Sequence, residues 1–105
     1  MMVYTVIFSP AAQSHLISLY RYIKEASASV AMASKYIDSV VDYCEGLSAF
    51  PHRGTKRDDI YPGLRIVNYK KTCVIAIQVV DDKVFIHGVF YGGQDYESYG
   101  WDEQI

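Results

Sequence analysis

Three side chains in the second half of the chain have the types that phosphodiester cleavage requires: Arg65, His87 and Tyr91. Attack of a ribose 2′-hydroxyl on phosphorus needs a base, an acid for the leaving oxygen, and a cation where negative charge develops. His87 would serve as base or acid, Arg65 would hold the phosphate, and Tyr91 would supply the second proton. Strand alternation sets Arg65, Val67 and Tyr69 on one face of one strand and Phe85, His87, Val89 and Tyr91 on one face of another. The three polar groups are therefore expected to share the less buried face of a sheet. Charge argues against this chemistry. The 22 residues after Lys83 contain no Lys or Arg, and residues 94–105 carry four acids and no base, which repels a phosphate backbone. Each residue also has an ordinary structural role. His87 fits a sheet histidine bonded to a neighbour, Arg65 an ion pair or sheet-edge clamp, and Tyr91, Tyr96 and Tyr99 aromatic packing with wet hydroxyls.

Other catalytic or cofactor chemistry finds little material. His15, His52 and His87 are scattered, and Cys44 and Cys73 lack ligand spacing, so no metal is expected. Gly92-Gly93 precedes no helix signal and makes no phosphate loop. No Ser-His-Asp set has a recognisable local context, and no cofactor is implied. The two distant cysteines exclude a disulfide scaffold and fit a reducing cytoplasm. The first ten residues lack the pattern of a signal peptide, and no apolar run approaches a membrane span, so no membrane partner is expected.

The elements that must position these residues follow from hydrophobic periodicity. The 105 residues suit one domain, read as residues 1–105 with a flexible acidic tail from about residue 96. Val3 to Phe8 is β-branched and aromatic and reads as a strand, central because both faces are apolar. Ser9-Pro10 supplies an N-cap and a first helical residue. Ala12, Leu16, Leu19, Tyr20 and Ile23 then recur at helical spacing. A break around residues 27–29 precedes a second helix carrying Val30, Ala33, Ile37, Val40, Val41, Cys44 and Leu47. Residues 52–62 read as a loop. Three strands follow, Leu64 to Tyr69, Cys73 to Val80 and Val84 to Tyr91, joined by short turns at Lys70-Lys71 and Asp81-Asp82. The order β-α-α-β-β-β makes an α+β domain, a helical hairpin packed on a mostly antiparallel sheet.

Net charge is only −2, but it is unevenly spread. Residues 51–71 hold six bases (Arg53, Lys56, Arg57, Arg65, Lys70 and Lys71) against Asp58 and Asp59. A basic middle and an acidic end suit either an acidic partner or two solvated segments that offset each other. Ten tyrosines favour partner binding, since aromatic residues and Arg are enriched in interfaces. A groove between the helix stripe and the sheet edge would accept partner helices, with Leu16, Leu19, Tyr20 and Ile23 as its exposed anchors; the rival reading makes these four core.

Several pieces in order resemble a known family. They are Ser9-Pro10-Ala11-Ala12, Ala33-x-x-Tyr36-Ile37, Leu47-x-x-Phe50-Pro51-x-x-Gly54, Pro62-Gly63-Leu64-Arg65 and Tyr91-Gly92-Gly93-Gln94-Asp95. Over residues 3–96 the chain resembles the ParE branch of the RelE/ParE toxin superfamily. The resemblance implies a cytoplasmic toxin of a type II toxin–antitoxin, plasmid-stabilisation module, with no catalytic residues. It would block DNA gyrase and be neutralised by a ParD-like antitoxin, meeting operator DNA only through that antitoxin. Arg53, Lys56, Arg57, Arg65 and Tyr91 join the four helix residues as candidate target or partner contacts. Two alternatives stay open. One is a RelE-like ribosome-dependent messenger RNA endoribonuclease using Arg65, His87 and Tyr91. The other is a degenerate, non-toxic partner-binding member. It is motivated by Tyr91 and Gln94, which stand where ParE-like chains commonly carry a His and an Arg.

Overall fold

The computed structural model describes residues 3–101. Elements run β1 (Thr5–Phe8), α1 (Pro10–Ser27), α2 (Val30–Gly46), β2 (Thr55–Lys56), β3 (Leu64–Tyr69), β4 (Cys73–Val80), β5 (Lys83–Tyr91) and a 3₁₀ turn at Tyr96–Ser98. The helix starts have a local cause. Ser9 and Ser29 accept the Ala12 and Met32 amides through their hydroxyls, and Pro10 takes the first helical position. Ala28 in the left-handed region turns α1 into α2.

The five strands form one sheet in the order β1-β5-β4-β3-β2. All neighbours are antiparallel except β1 and β5. β1 is thus an edge strand, not the central one expected from its apolar residues. β2 is a short strand inside the stretch read as loop.

One sheet face packs on the helices. Val67, Ile75, Ile77, Val84, Ile86 and Val89 meet Ala12, Leu19, Val40, Cys44 and Leu47. Cys44 and Cys73 lie in this core, where burial pushes the thiols up to about 12 and about 11. They are structural, unreactive groups at neutral pH.

The opposite face carries a second core of Leu64, Ile66, Ala76, Phe90 and Trp101. Its cover is the segment after β5, where Trp101 is only 4% exposed and its Nε1 donates to the Tyr96 carbonyl at 2.8 Å. Residues 96–101 are therefore a packed strap, in contrast to the flexible tail expected from residue 96. Asp102 to Ile105 lie outside the described residues. No helix among the described residues is long and apolar enough to cross a membrane.

A single irregularity decides the face of the chemistry-bearing residues. Strand pairing shifts between Ala76 and Ile77: Ala76 faces Gly88, and Ile77 faces Ile86. His87 is the extra residue of a β-bulge. Alternation restarts after it, so Phe85 and His87 lie on the strap side while Val89 and Tyr91 pack with the helix-side core.

Candidate partner-binding site

β1 ends opposite Ile86, so the same edge of β5 has no strand partner from His87 onward. Unmatched ladder groups at a buried edge are costly, and side chains meet them here. The Ser9 hydroxyl donates to the His87 carbonyl at 3.3 Å. The Val89 amide donates to His15 Nδ1 at 3.0 Å, and the Tyr91 amide to Gln94 Oε1 at 2.8 Å.

Alongside this edge runs a groove of ≈ 520 Å³ between α1 and β5. From α1 it takes His15, Ser18, Leu19 and Tyr22; Val89 and Tyr91 form the other wall. No Lys or Arg lines it, and its one acid is Asp95. Asp95 accepts the Glu97 amide, and its bonds to Ser98 hold the carboxyl below the usual carboxylate range. Tyr91 makes edge contacts with Tyr22 across the groove and with Tyr36, at 5.4 and 5.8 Å. Lys70 lies over the rings of Tyr36 and Tyr69, at 4.9 and 5.4 Å. The groove suits an apolar or aromatic side chain and offers no counter-charge to a phosphate.

His15 links helix, edge and strap. Its ring lies 5.1 Å from Phe90 and 5.2 Å from Tyr99, and burial holds its pKa below the ordinary value. Acceptance at Nδ1 means the ring is neutral, with its proton on Nε2. Once protonated on both nitrogens it cannot accept from Val89. Below its usual pKa of about 6.5 the unfolded chain binds the proton that the folded chain refuses, so stability falls with pH from there downward. His87, also buried and shifted down, adds to the same trend. His15→Ala should therefore cost about 1–3 kcal/mol at pH 7.5 through the orphaned amide. His15→Gln, which can still accept, should lose less stability than the parent between pH 7.5 and 5 in urea titrations. An unchanged pH slope in His15→Gln would exclude this role.

The three residues assembled above for RNA cleavage do not converge. Arg65 faces Ile77 across β3–β4 and shares the helix-side face. His87 is on the other face, 8% exposed, with Nε2 2.9 Å from Gln78 Oε1; the Gln78 amide nitrogen in turn donates to the Pro62 carbonyl. Tyr91 lies at the level of Cys73 and Tyr69, four residues along the strands from Arg65, which is roughly 13 Å. The bulge at His87 defeats the expected common face.

The binding candidates also separate. Leu19 is 4% exposed in the core, and Leu16 and Ile23 pack against it, so these are not exposed anchors. Tyr20 is half-buried with Lys24 over its ring. Arg57 is not a free cation. It pairs in bidentate fashion with Asp59 at 3.0 and 2.9 Å, reaches Glu97 at 2.8 Å and donates to the Tyr96 hydroxyl. These carboxylates hold its pKa above the usual guanidinium value. The basic middle and acidic end thus meet directly at one point. Arg53 and Lys56 stay exposed, Arg65 is half-buried, and Tyr91 lines the groove. His15, Ser18 and Tyr22 were missed. Their signal was their spacing of three and four along one flank of the α1 apolar stripe. Among the described residues no cluster of His, Cys, Asp or Glu is arranged to hold a metal.

Comparison with known proteins agrees with this architecture. No curated protein sequence matches. In fold the chain is similar to the chromosomal ParDE toxin–antitoxin system from P. aeruginosa, with a TM-score of 0.73, 16% identity, and 85% of this chain and 96% of that one covered. It is also similar to the RelBE2 toxin–antitoxin complex from Mycobacterium tuberculosis, with a TM-score of 0.63, 20% identity, and coverage of 87% and 100%. Residues 6–96 match the family model of the ParE toxin of type II toxin–antitoxin systems, parDE. With 91 of its 105 residues inside that match, the chain belongs to the ParE toxin family of type II toxin–antitoxin systems.

Proposed function

We propose that this chain arrests growth by binding a protein target, DNA gyrase, without bond-breaking chemistry of its own, and that a ParD-like antitoxin neutralises it and carries the pair to operator DNA. The observation that carries this reading is the separation of Arg65, His87 and Tyr91 by face and by distance. General acid–base catalysis needs its groups within hydrogen-bond reach of one reacting centre. The groove beside Tyr91 supports the same reading, because no Lys or Arg lines it to meet a developing phosphorane charge. The test is a supercoiling assay with purified gyrase and purified chain. Inhibition that co-purified antitoxin relieves is expected, with no new cleavage in primer extension of messenger RNA. Absence of both gyrase binding and inhibition would remove gyrase as the target.

A second reading, a degenerate non-toxic partner binder, is favoured by one observation. Gln94, standing where an Arg is common, is committed to the Tyr91 amide through its side chain. Full viability after inducing the chain alone, with antitoxin binding retained, would favour this reading over the first.

A further inference from the structure

At the sheet edge opposite the groove two cationic residues face each other across a strand pair. Lys56 of β2 stands directly across from Arg65 of β3. The Arg57 amide donates to the Leu64 carbonyl at 2.8 Å, which makes 57–64 a hydrogen-bonded pair. In an antiparallel ladder the next pair, Lys56–Arg65, is then a non-hydrogen-bonded one, the kind that brings side chains closest. Like charges placed so repel and destabilise the ladder. Among the described residues neither forms an ion pair, whereas the adjacent Arg57 is fully engaged by Asp59 and Glu97. Arg53 is exposed just before β2. Gly54 holds that approach against β3, where its φ is +83°.

The same ladder geometry turns the Lys56 backbone amide and carbonyl outward. β2 is the outermost strand, so these groups point from the open edge of the sheet. The strip therefore combines unpaired positive charge with a strand edge. A nucleic acid is the poorer occupant, because its backbone needs a longer run of cations than these.

We propose that Lys56 and Arg65, flanked by Arg53, form a docking strip for an extended acidic segment of a partner protein, laid along the open edge of β2. The partner's main chain pairs with Lys56, and its carboxylates relieve the repulsion between the two cations. The proposal rests on the partner-binding reading but not on gyrase. A strip that fails while gyrase is still inhibited would overturn the strip alone.

Fluorescence anisotropy tests it, with a labelled peptide of about eight alternating Glu and Val residues, long enough to span the edge. The intact chain should bind this peptide and bind less at higher salt. Lys56→Ala and Arg65→Ala should each weaken binding about five-fold or more, whereas the remote Lys24→Ala should change it less than about two-fold. Lys56→Glu should abolish binding and yet raise the melting temperature by about 2–4 °C, because it replaces a repulsive pair by an attractive one. A purely structural role cannot give that opposite pair of effects. No binding, an equal loss in the remote Lys24→Ala variant, or tighter binding of a 12-nucleotide single-stranded RNA would each overturn the proposal.

Discussion

Trp101→Ala should destabilise the domain by about 3–5 kcal/mol, a large share of the total stability of a chain this size. The indole is the largest side chain in the strap-side core, and it is the most deeply buried group of the segment that carries it. Burying a Trp removes roughly 150–250 Å² from water, which at about 25 cal/mol per Å² is close to 4–6 kcal/mol. By comparison the exposed pairing of Arg57 with Asp59 and Glu97 contributes little, because solvent screens it. Trp101 thus holds the strap down, and Arg57 fixes where it crosses the β2–β3 loop. The Phe90 and Tyr99 rings, 5.9 and 5.0 Å from the indole, lose their packing partner in the variant, and Leu64, Ile66 and Phe90 gain water. Urea unfolding followed by circular dichroism measures the loss, since the parent's one tryptophan is itself removed. A loss under about 1 kcal/mol would mean that the strap does not contribute to the fold. Arg57→Ala should cost far less than Trp101→Ala in the same titration.

Trp101 also shows where sequence patterns stop being readable. The helices and the three long strands were legible because their signals are local. Ser9-Pro10 and Ser29 cap where a hydroxyl can reach an amide three residues on, and the 3.6-residue stripe of α1 is short-range arithmetic. Residues 96–101 have no period, because their aromatic side chains pack on strands far away in the chain. The same holds for Arg57, whose partner Glu97 is 40 residues distant. Read as a charge block, it looks like a binding residue; in the fold it is a clamp. The position of β1 was hidden for a different reason. Apolar residues on both faces report cover above and below, which α1 and the sheet ends can supply, and say nothing about neighbours within the sheet. The bulge was the costliest omission. Val84 to Tyr91 is apolar on both parities, so inserting His87 leaves the pattern unchanged while exchanging the faces of everything beyond it. The candidate catalytic trio depended on that parity and was dispersed by it. The groove was anticipated as a gap between helix and sheet edge. Its walls were not, because the core stripe of α1 is more conspicuous than the flank that carries His15, Ser18 and Tyr22.

Gly54→Ala should cost about 3 kcal/mol or more and should misplace β2, for two reasons that act together. The left-handed backbone at φ +83° costs an L-residue roughly 1–2 kcal/mol by itself. A Cβ built there would collide with the Ile66 carbonyl oxygen and lie 2.8 Å from Val67 Cγ2. Neither neighbour can yield easily, since Ile66 is paired on both sides, to Thr55 and to Ala76, and Val67 is part of the helix-side core. β2 has only two residues to hold its place, so the strain is relieved by unpairing β2 and separating Lys56 from Arg65. Gly46 provides the contrast at the end of α2. Nothing lies within 4 Å of a Cβ there, and alanine is the better helix residue, so Gly46→Ala should stabilise by about 0.5–1 kcal/mol. Paired urea titrations of the two variants separate steric conflict from any general sensitivity of loops to the loss of glycine. If Gly54→Ala matched Gly46→Ala, the close approach of residue 54 to β3 would be wrong. In that event the cation pair would also lose its structural cause, because the loop that delivers Lys56 to Arg65 would be free to settle elsewhere.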